Sequence, residues 1–125
     1  TYNANPASIK AALEVLAMQP GMQVFVMGDM GELGNDSASL HRQTGELARE
    51  LGVDACFTLG KRTALTAQAF GPHAQSFTNT QQLVSALQMM IDENRDRPIN
   101  ILVKGSRSMK MEQVIELLDN NRLRG

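Results

Sequence analysis

Three carboxylates stand close together in one glycine-rich segment, residues 28–36. They belong to Asp29, Glu32 and Asp36, and the segment contains no lysine or arginine. Uncompensated negative charge of this kind can attract an ammonium group or a metal ion. Asp29, Met30 and Glu32 are therefore our candidate ligand contacts in this segment, which we call the acidic loop.

A second segment, residues 104–110, has the opposite charge and is called the basic loop. It contains three cations and two hydroxyl groups. Lys104, Ser106 and Arg107 are candidate ligands for a carboxylate or phosphate, because all three donate hydrogen bonds and a helix N-terminus is expected behind them. The two loops together suit a zwitterion such as an amino acid or short peptide. Taken singly, each is equally compatible with a solvated surface turn.

Hydrophobic spacing predicts the elements that would position these loops. Strands are predicted over residues 23–27, 55–59 and 99–103, with a weaker one over 75–77. Helices are predicted over residues 6–18, before Gly52, over 63–70, after a cap at Asn79, and on the stripe Met111, Val114, Ile115 and Leu118. This alternation predicts an α/β, Rossmann-like three-layer domain, with a mostly parallel sheet flanked by helices, over residues 1–125 as a single domain.

Ligands of such sheets gather at the carboxyl ends of the strands, where both loops are expected. Two nucleotide-binding motifs are absent from the sequence. The glycines of the acidic loop are spaced GxxGxxG and not GxGxxG, and Gly60-Lys61 precedes Arg62 where a phosphate-binding loop needs Ser or Thr. We therefore expect no complete ATP site in this chain. The glycines also predict that both loops move freely until a ligand orders them.

Composition excludes several classes of protein. The 125 residues carry a net charge of −1, which makes nucleic acid a poor partner. No apolar run reaches about 18 residues and the first residues do not resemble a signal peptide, so we expect a cytoplasmic chain without membrane insertion. Cys56, the one cysteine, is predicted to be a buried hydrophobe, and His41 to pack or cap; no metal site is expected.

Three motifs, read together, resemble those of the Mur ligases. They are Tyr2-Asn3-Ala4-Asn5-Pro6, the string VMGDMGELG at residues 26–34, and the string VKGSRS at residues 103–108. They occur in the family's order and at similar separations, with His41 and Gly45 also placed as in the family. The resemblance covers almost the whole chain.

The resemblance implies a role in ATP-dependent amide formation for peptidoglycan synthesis. A carboxylate of UDP-N-acetylmuramoyl tripeptide would become an acyl phosphate, and the amine of D-alanyl-D-alanine would attack it. This chain is similar to the third domain of such an enzyme, while ATP and Mg2+ would be bound mainly by a central domain and the UDP-sugar by an N-terminal one. Tyr2, Asn3 and Asn5 would lie at the hinge and face the nucleotide; no catalytic residue is expected in this chain.

The resemblance also implies a role for each loop. The basic loop would bind the dipeptide carboxylate, and Asp29 and Glu32 of the acidic loop would orient its ammonium or the backbone near it. The alternative is a receiver-like signalling or interaction module. Asp29 after the first strand and Lys104 after the last fit a receiver superficially. A receiver, however, needs an acidic pair and a phosphoacceptor aspartate after a middle strand, where this chain has Gly60-Lys61.

Overall fold

The computed structural model describes residues 5–31, 34–105, 109–111 and 113–116. Four strands alternate with helices along this part of the chain. The elements are α1 (Pro6–Ala17), β1 (Met22–Gly28), a short 3-10 helix (Gly34–Asp36), α2 (Ser37–Glu50), β2 (Ala55–Leu59), α3 (Ala64–Phe70), β3 (Ala74–Phe77), α4 (Thr80–Glu93) and β4 (Ile99–Lys104). Residues 113–116 are helical as well. The predicted α/β order is confirmed.

The four strands form one parallel sheet in the order β3-β2-β1-β4. From β1 the chain adds β2 and β3 on one side, and it then returns to place β4 on the other side of β1. The strand order therefore reverses between β1 and β4. In open α/β sheets, the crevice outside the carboxyl ends of two such strands is where ligands bind.

Hydrophobic side chains cover both faces of the sheet, because successive strand residues point to opposite faces. On one face, Val24 and Val26 of β1 pack with Phe57 of β2 against α4 and Met111. On the other face, Phe25 and Met27 of β1 pack with residues of α1, α2 and α3. The predicted three-layer arrangement is confirmed, with one core on each face.

Local sequence signals set the helix ends as predicted. The Asn5 side chain accepts a hydrogen bond from the Ser8 amide at 3.0 Å, and Pro6 follows at the first helical position. Gly52, with φ of 83°, follows α2. Asn79 caps α4 by accepting from the Gln82 amide at 3.0 Å.

The structure changes some predicted boundaries. β4 extends one residue further than predicted, so Lys104 ends a strand instead of beginning a loop. Thr63 precedes α3 as its N-cap residue. Met111 and Val114 are buried as predicted, and Leu118 lies outside the described residues. None of the helices in the described ranges is long and apolar enough to cross a bilayer.

Candidate functional site

The acidic and basic loops leave the sheet side by side at the point where the strand order reverses. Met27 is the register partner of Lys104 across the β1–β4 pair. One residue further along, a Cβ added to Gly105 would lie 3.3 Å from the Gly28 Cα. The two loops therefore start from touching backbones. The sequence predicted only that both loops lie at one edge of the sheet.

Met111 fills the space above these two glycines. A Cβ on Gly28 would stand 2.5 Å from the Met111 sulfur, and a Cβ on Gly105 would collide with the Met111 side chain. Met111 itself is fully buried. Neither glycine has a positive φ, so close packing, not backbone freedom, explains these two glycines.

The Asp29 carboxylate is bound to the loop that follows the neighbouring strand β2. It accepts hydrogen bonds from the Thr63 amide at 2.9 Å and from the Arg62 amide at 3.3 Å. Gly60, with φ of 121°, lies so close to this carboxylate that any Cβ would collide with it. Asp29 is half-buried, so it brings negative charge to the edge of the sheet while it holds the start of α3.

Met30 is held on three sides. Its side chain is fully buried in the core beneath α1 and α2. Its amide donates to Nε2 of His41 at 3.0 Å, and its carbonyl oxygen accepts from the Arg62 guanidinium at 3.3 Å. The predicted mobility of the loop stays a prediction, but at this residue the backbone and the side chain all have partners.

His41 lies in the first turns of α2, and its ring is completely buried. A backbone amide can only donate, so Nε2 must accept from Met30, and a neutral ring then carries its proton on Nδ1. Nδ1 lies 2.7 Å from the carbonyl oxygen of Ser37, to which it donates. The prediction that His41 packs or caps missed its link to the acidic loop.

The remaining predicted site residues divide into two groups. Lys104 lies at the end of β4, and 9% of its surface is exposed. Asn5 uses its side-chain oxygen to cap α1. Five candidates lie outside the described residues, namely Tyr2, Asn3, Glu32, Ser106 and Arg107.

Two other predictions concern groups away from this edge. Cys56 is buried in β2, and burial raises the pKa of its thiol to about 12, which agrees with its expected role as a small hydrophobe. Within the described ranges, no three His, Cys, Asp or Glu side chains come together as metal ligands do.

Comparison with known proteins relates this chain to one enzyme family. The sequence profile described as "Mur ligase, glutamate ligase domain" matches residues 1–107. The UDP-N-acetylmuramoyl-tripeptide–D-alanyl-D-alanine ligase of Escherichia coli (strain K12) is 43% identical over 123 residues, which is 97% of this chain and 26% of that protein. The enzyme of the same name from Haemophilus influenzae is 36% identical, over 92% of this chain and 25% of that protein.

Solved structures give the same relationship. MurF from Acinetobacter baumannii superposes with a TM-score of 0.87 at 34% identity, covering 94% of this chain and 26% of that one. MurF ligase from Thermotoga maritima, solved in complex with ADP, superposes with a TM-score of 0.83 at 22% identity and supports the fold alone. The chain spans about a quarter of the length of the relatives it matches.

Proposed function

Because the chain belongs to the Mur ligase family, we propose that it is the C-terminal domain of a ligase that joins D-alanyl-D-alanine to UDP-N-acetylmuramoyl tripeptide. The domain would comprise residues 1–125. Its task would be to bind the dipeptide and present the amine to the activated tripeptide. We assign the whole enzyme to the cytoplasm and to the synthesis of peptidoglycan precursors.

One observation carries the proposal beyond family membership: the acidic and basic loops start from touching backbones where the strand order reverses. D-Alanyl-D-alanine at neutral pH has an ammonium at one end and a carboxylate at the other. In our proposal Lys104, Ser106 and Arg107 bind the carboxylate through charge-assisted hydrogen bonds. The acidic loop binds the ammonium end of the dipeptide, with the carboxylates of Asp29 and Glu32 near the ammonium. The backbone of Met30 holds this loop in position.

The residues of this chain do not fit a complete nucleotide site. Gly60-Lys61-Arg62 lacks the hydroxyl residue that a phosphate-binding loop places after its lysine. We therefore propose that ATP and Mg2+ bind mainly to the central domain of the intact enzyme. Tyr2, Asn3 and Asn5 would face the nucleotide at the hinge. Asn5 begins α1, and the Ala17 carbonyl in the last turn of α1 accepts from Gln23 at the start of β1, so the Asn5 end of the helix lies toward the carboxyl edge.

The receiver-like alternative is not supported. The relatives to which this chain is similar are ligases. The Asp29 carboxylate, which would belong to the acidic pair of a receiver, accepts hydrogen bonds from two backbone amides.

The proposal is tested with the intact protein that contains this chain. We expect ATP-dependent phosphate release that requires both UDP-N-acetylmuramoyl tripeptide and D-alanyl-D-alanine. L-Alanyl-L-alanine and free D-alanine are the control amines, and the chain alone is expected to show no turnover. Equal rates with all three amines would refute recognition of the dipeptide, and turnover by the chain alone would refute the division of labour between domains.

A further inference from the structure

A closed series of hydrogen bonds connects the acidic loop to α2 and α3. The Asp29 carboxylate accepts from the Thr63 amide at the start of α3. One turn later, the Thr66 hydroxyl donates to the carbonyl oxygen of His41 at 2.8 Å. The His41 ring then accepts from the amide of Met30, next to Asp29. Each of the three elements is therefore held by the other two.

The His41 ring is held in place on several sides within this series. Its ring is fully buried, and its Nδ1–H is engaged by the Ser37 carbonyl in the same helix. Nearby, α2 and α3 are in such close contact that any side chain at Gly45 would collide with Thr66. The acceptor offered to Met30 is therefore fixed in position and direction by the packing of the two helices.

We propose that His41 is a positioning residue for the amine substrate: by accepting from the Met30 amide, it sets the course of the acidic loop toward the dipeptide. This inference rests on the proposed function, because it needs that loop to meet the substrate. His41 itself contacts no substrate. Because His41 orders the loop before the dipeptide binds, less binding free energy is lost to ordering it.

The chemistry of the two ring nitrogens provides a matched pair of variants. In His41→Gln, the longer amide side chain presents an oxygen near the Nε2 position and can still accept from Met30. In His41→Asn, the shorter side chain can donate to Ser37 from near the Nδ1 position but cannot reach Met30. Thr44→Val, which removes a hydroxyl bonded to the Leu40 carbonyl within the same helix, is the control for a general loss of stability.

Two measurements are made on these variants. In the chain itself, we expect the Met30 amide to exchange its hydrogen about tenfold faster in His41→Asn, while His41→Gln and Thr44→Val stay close to wild type. In the intact enzyme, we expect His41→Asn to raise the KM for D-alanyl-D-alanine about tenfold, with the KM for ATP and for UDP-N-acetylmuramoyl tripeptide changed less than about twofold.

The outcomes separate the role of His41 from the proposed function. If the wild-type enzyme ignores the dipeptide, the proposed function fails and the positioning role fails with it. If the enzyme uses the dipeptide but His41→Asn leaves its KM unchanged, or raises all three KM values alike, only the positioning role is refuted. If His41→Asn does not fold, His41→Gln decides: wild-type Met30 protection and a dipeptide KM within about threefold support the inference, and a larger loss overturns it.

Discussion

Gly45 of α2 lies directly against the backbone of Thr66 in α3, with no space for a side chain between them. A Cβ at Gly45 would collide with the Thr66 carbonyl oxygen and would stand 3.0 Å from the Cβ of Ala69. This contact brings the two helices close enough for the Thr66 hydroxyl to reach the His41 carbonyl. The same helix packing holds His41, whose ring accepts from the Met30 amide in the acidic loop.

Replacing Gly45 by alanine is therefore expected to destabilise the domain. Alanine favours helix over glycine, but overpacking a close contact typically costs about 1 to 3 kcal/mol, and backbone atoms cannot rotate away. Urea unfolding of Gly45→Ala measures this cost. Glu46→Ala, at the next, exposed position of α2, is the control and should change stability by less than about 0.5 kcal/mol. Equal stabilities for the two variants would contradict the close contact.

Thr58 and Thr66 are both fully buried but differ in what their hydroxyl groups bind. The Thr58 hydroxyl has no hydrogen-bond partner within the described part of the chain, whereas that of Thr66 donates to His41. Removing an unpaired buried hydroxyl relieves a desolvation cost, while removing a paired one loses a hydrogen bond. We expect Thr58→Val to raise the free energy of unfolding by up to about 1 kcal/mol and Thr66→Val to lower it by about 1 to 2 kcal/mol. The same sign for both changes would contradict this account.

Cys56 makes stability depend on pH in the alkaline range. Burial raises the pKa of its thiol from 9.0 to about 12, so above pH 9 the unfolded chain loses a proton that the folded chain keeps. Folding then weakens as pH rises through this window. Between pH 8 and pH 10, the stability of wild type relative to Cys56→Ala should fall by about 1.4 kcal/mol. Urea titrations at the two pH values measure the difference, and a constant difference would show that the thiol is not buried.

Arg107 is expected to contribute to dipeptide binding through the charge of the basic loop. A lost charge-assisted hydrogen bond costs roughly 1.5 to 3 kcal/mol, so Arg107→Ala in the intact enzyme should lower kcat/KM for D-alanyl-D-alanine about ten- to a hundredfold. Arg95→Ala is the matched control. Arg95 forms a surface ion pair with Asp92 and lies just before the start of β4, at the opposite edge of the sheet from the basic loop. A similar loss of kcat/KM in both variants would mean that dipeptide use depends on the overall charge of the protein and not on the basic loop.

Local signals explain which parts of the fold could be predicted from sequence. The helix ends could be predicted because the residues that set them, Asn5, Gly52 and Asn79, act on their immediate neighbours. The alternation of strands and helices could be predicted because it is read from the short-range spacing of hydrophobic residues. The placing of both loops at one edge followed from the parallel order of the strands. The helix ends, in particular, do not depend on contacts between distant residues.

The contacts within the acidic loop could not be predicted in the same way. The partners of Asp29 lie 33 and 34 residues away in the loop after β2, and they become neighbours only once β1 and β2 pair. The burial of Met30 and its bond to His41 depend on how α2 packs over that loop. The glycine spacing indicated loop mobility at Gly28, and it could not predict that the Met111 side chain leaves no space for a Cβ there.

We propose that this domain binds the dipeptide between its acidic and basic loops. Hydrogen exchange of the intact enzyme, loaded with a non-hydrolysable ATP analogue and UDP-N-acetylmuramoyl tripeptide, tests it most directly when measured with and without D-alanyl-D-alanine. We predict that the dipeptide slows exchange chiefly in peptides covering residues 28–34 and 103–108. Slowed exchange confined to other parts of the enzyme, with these two segments unchanged, would contradict the account.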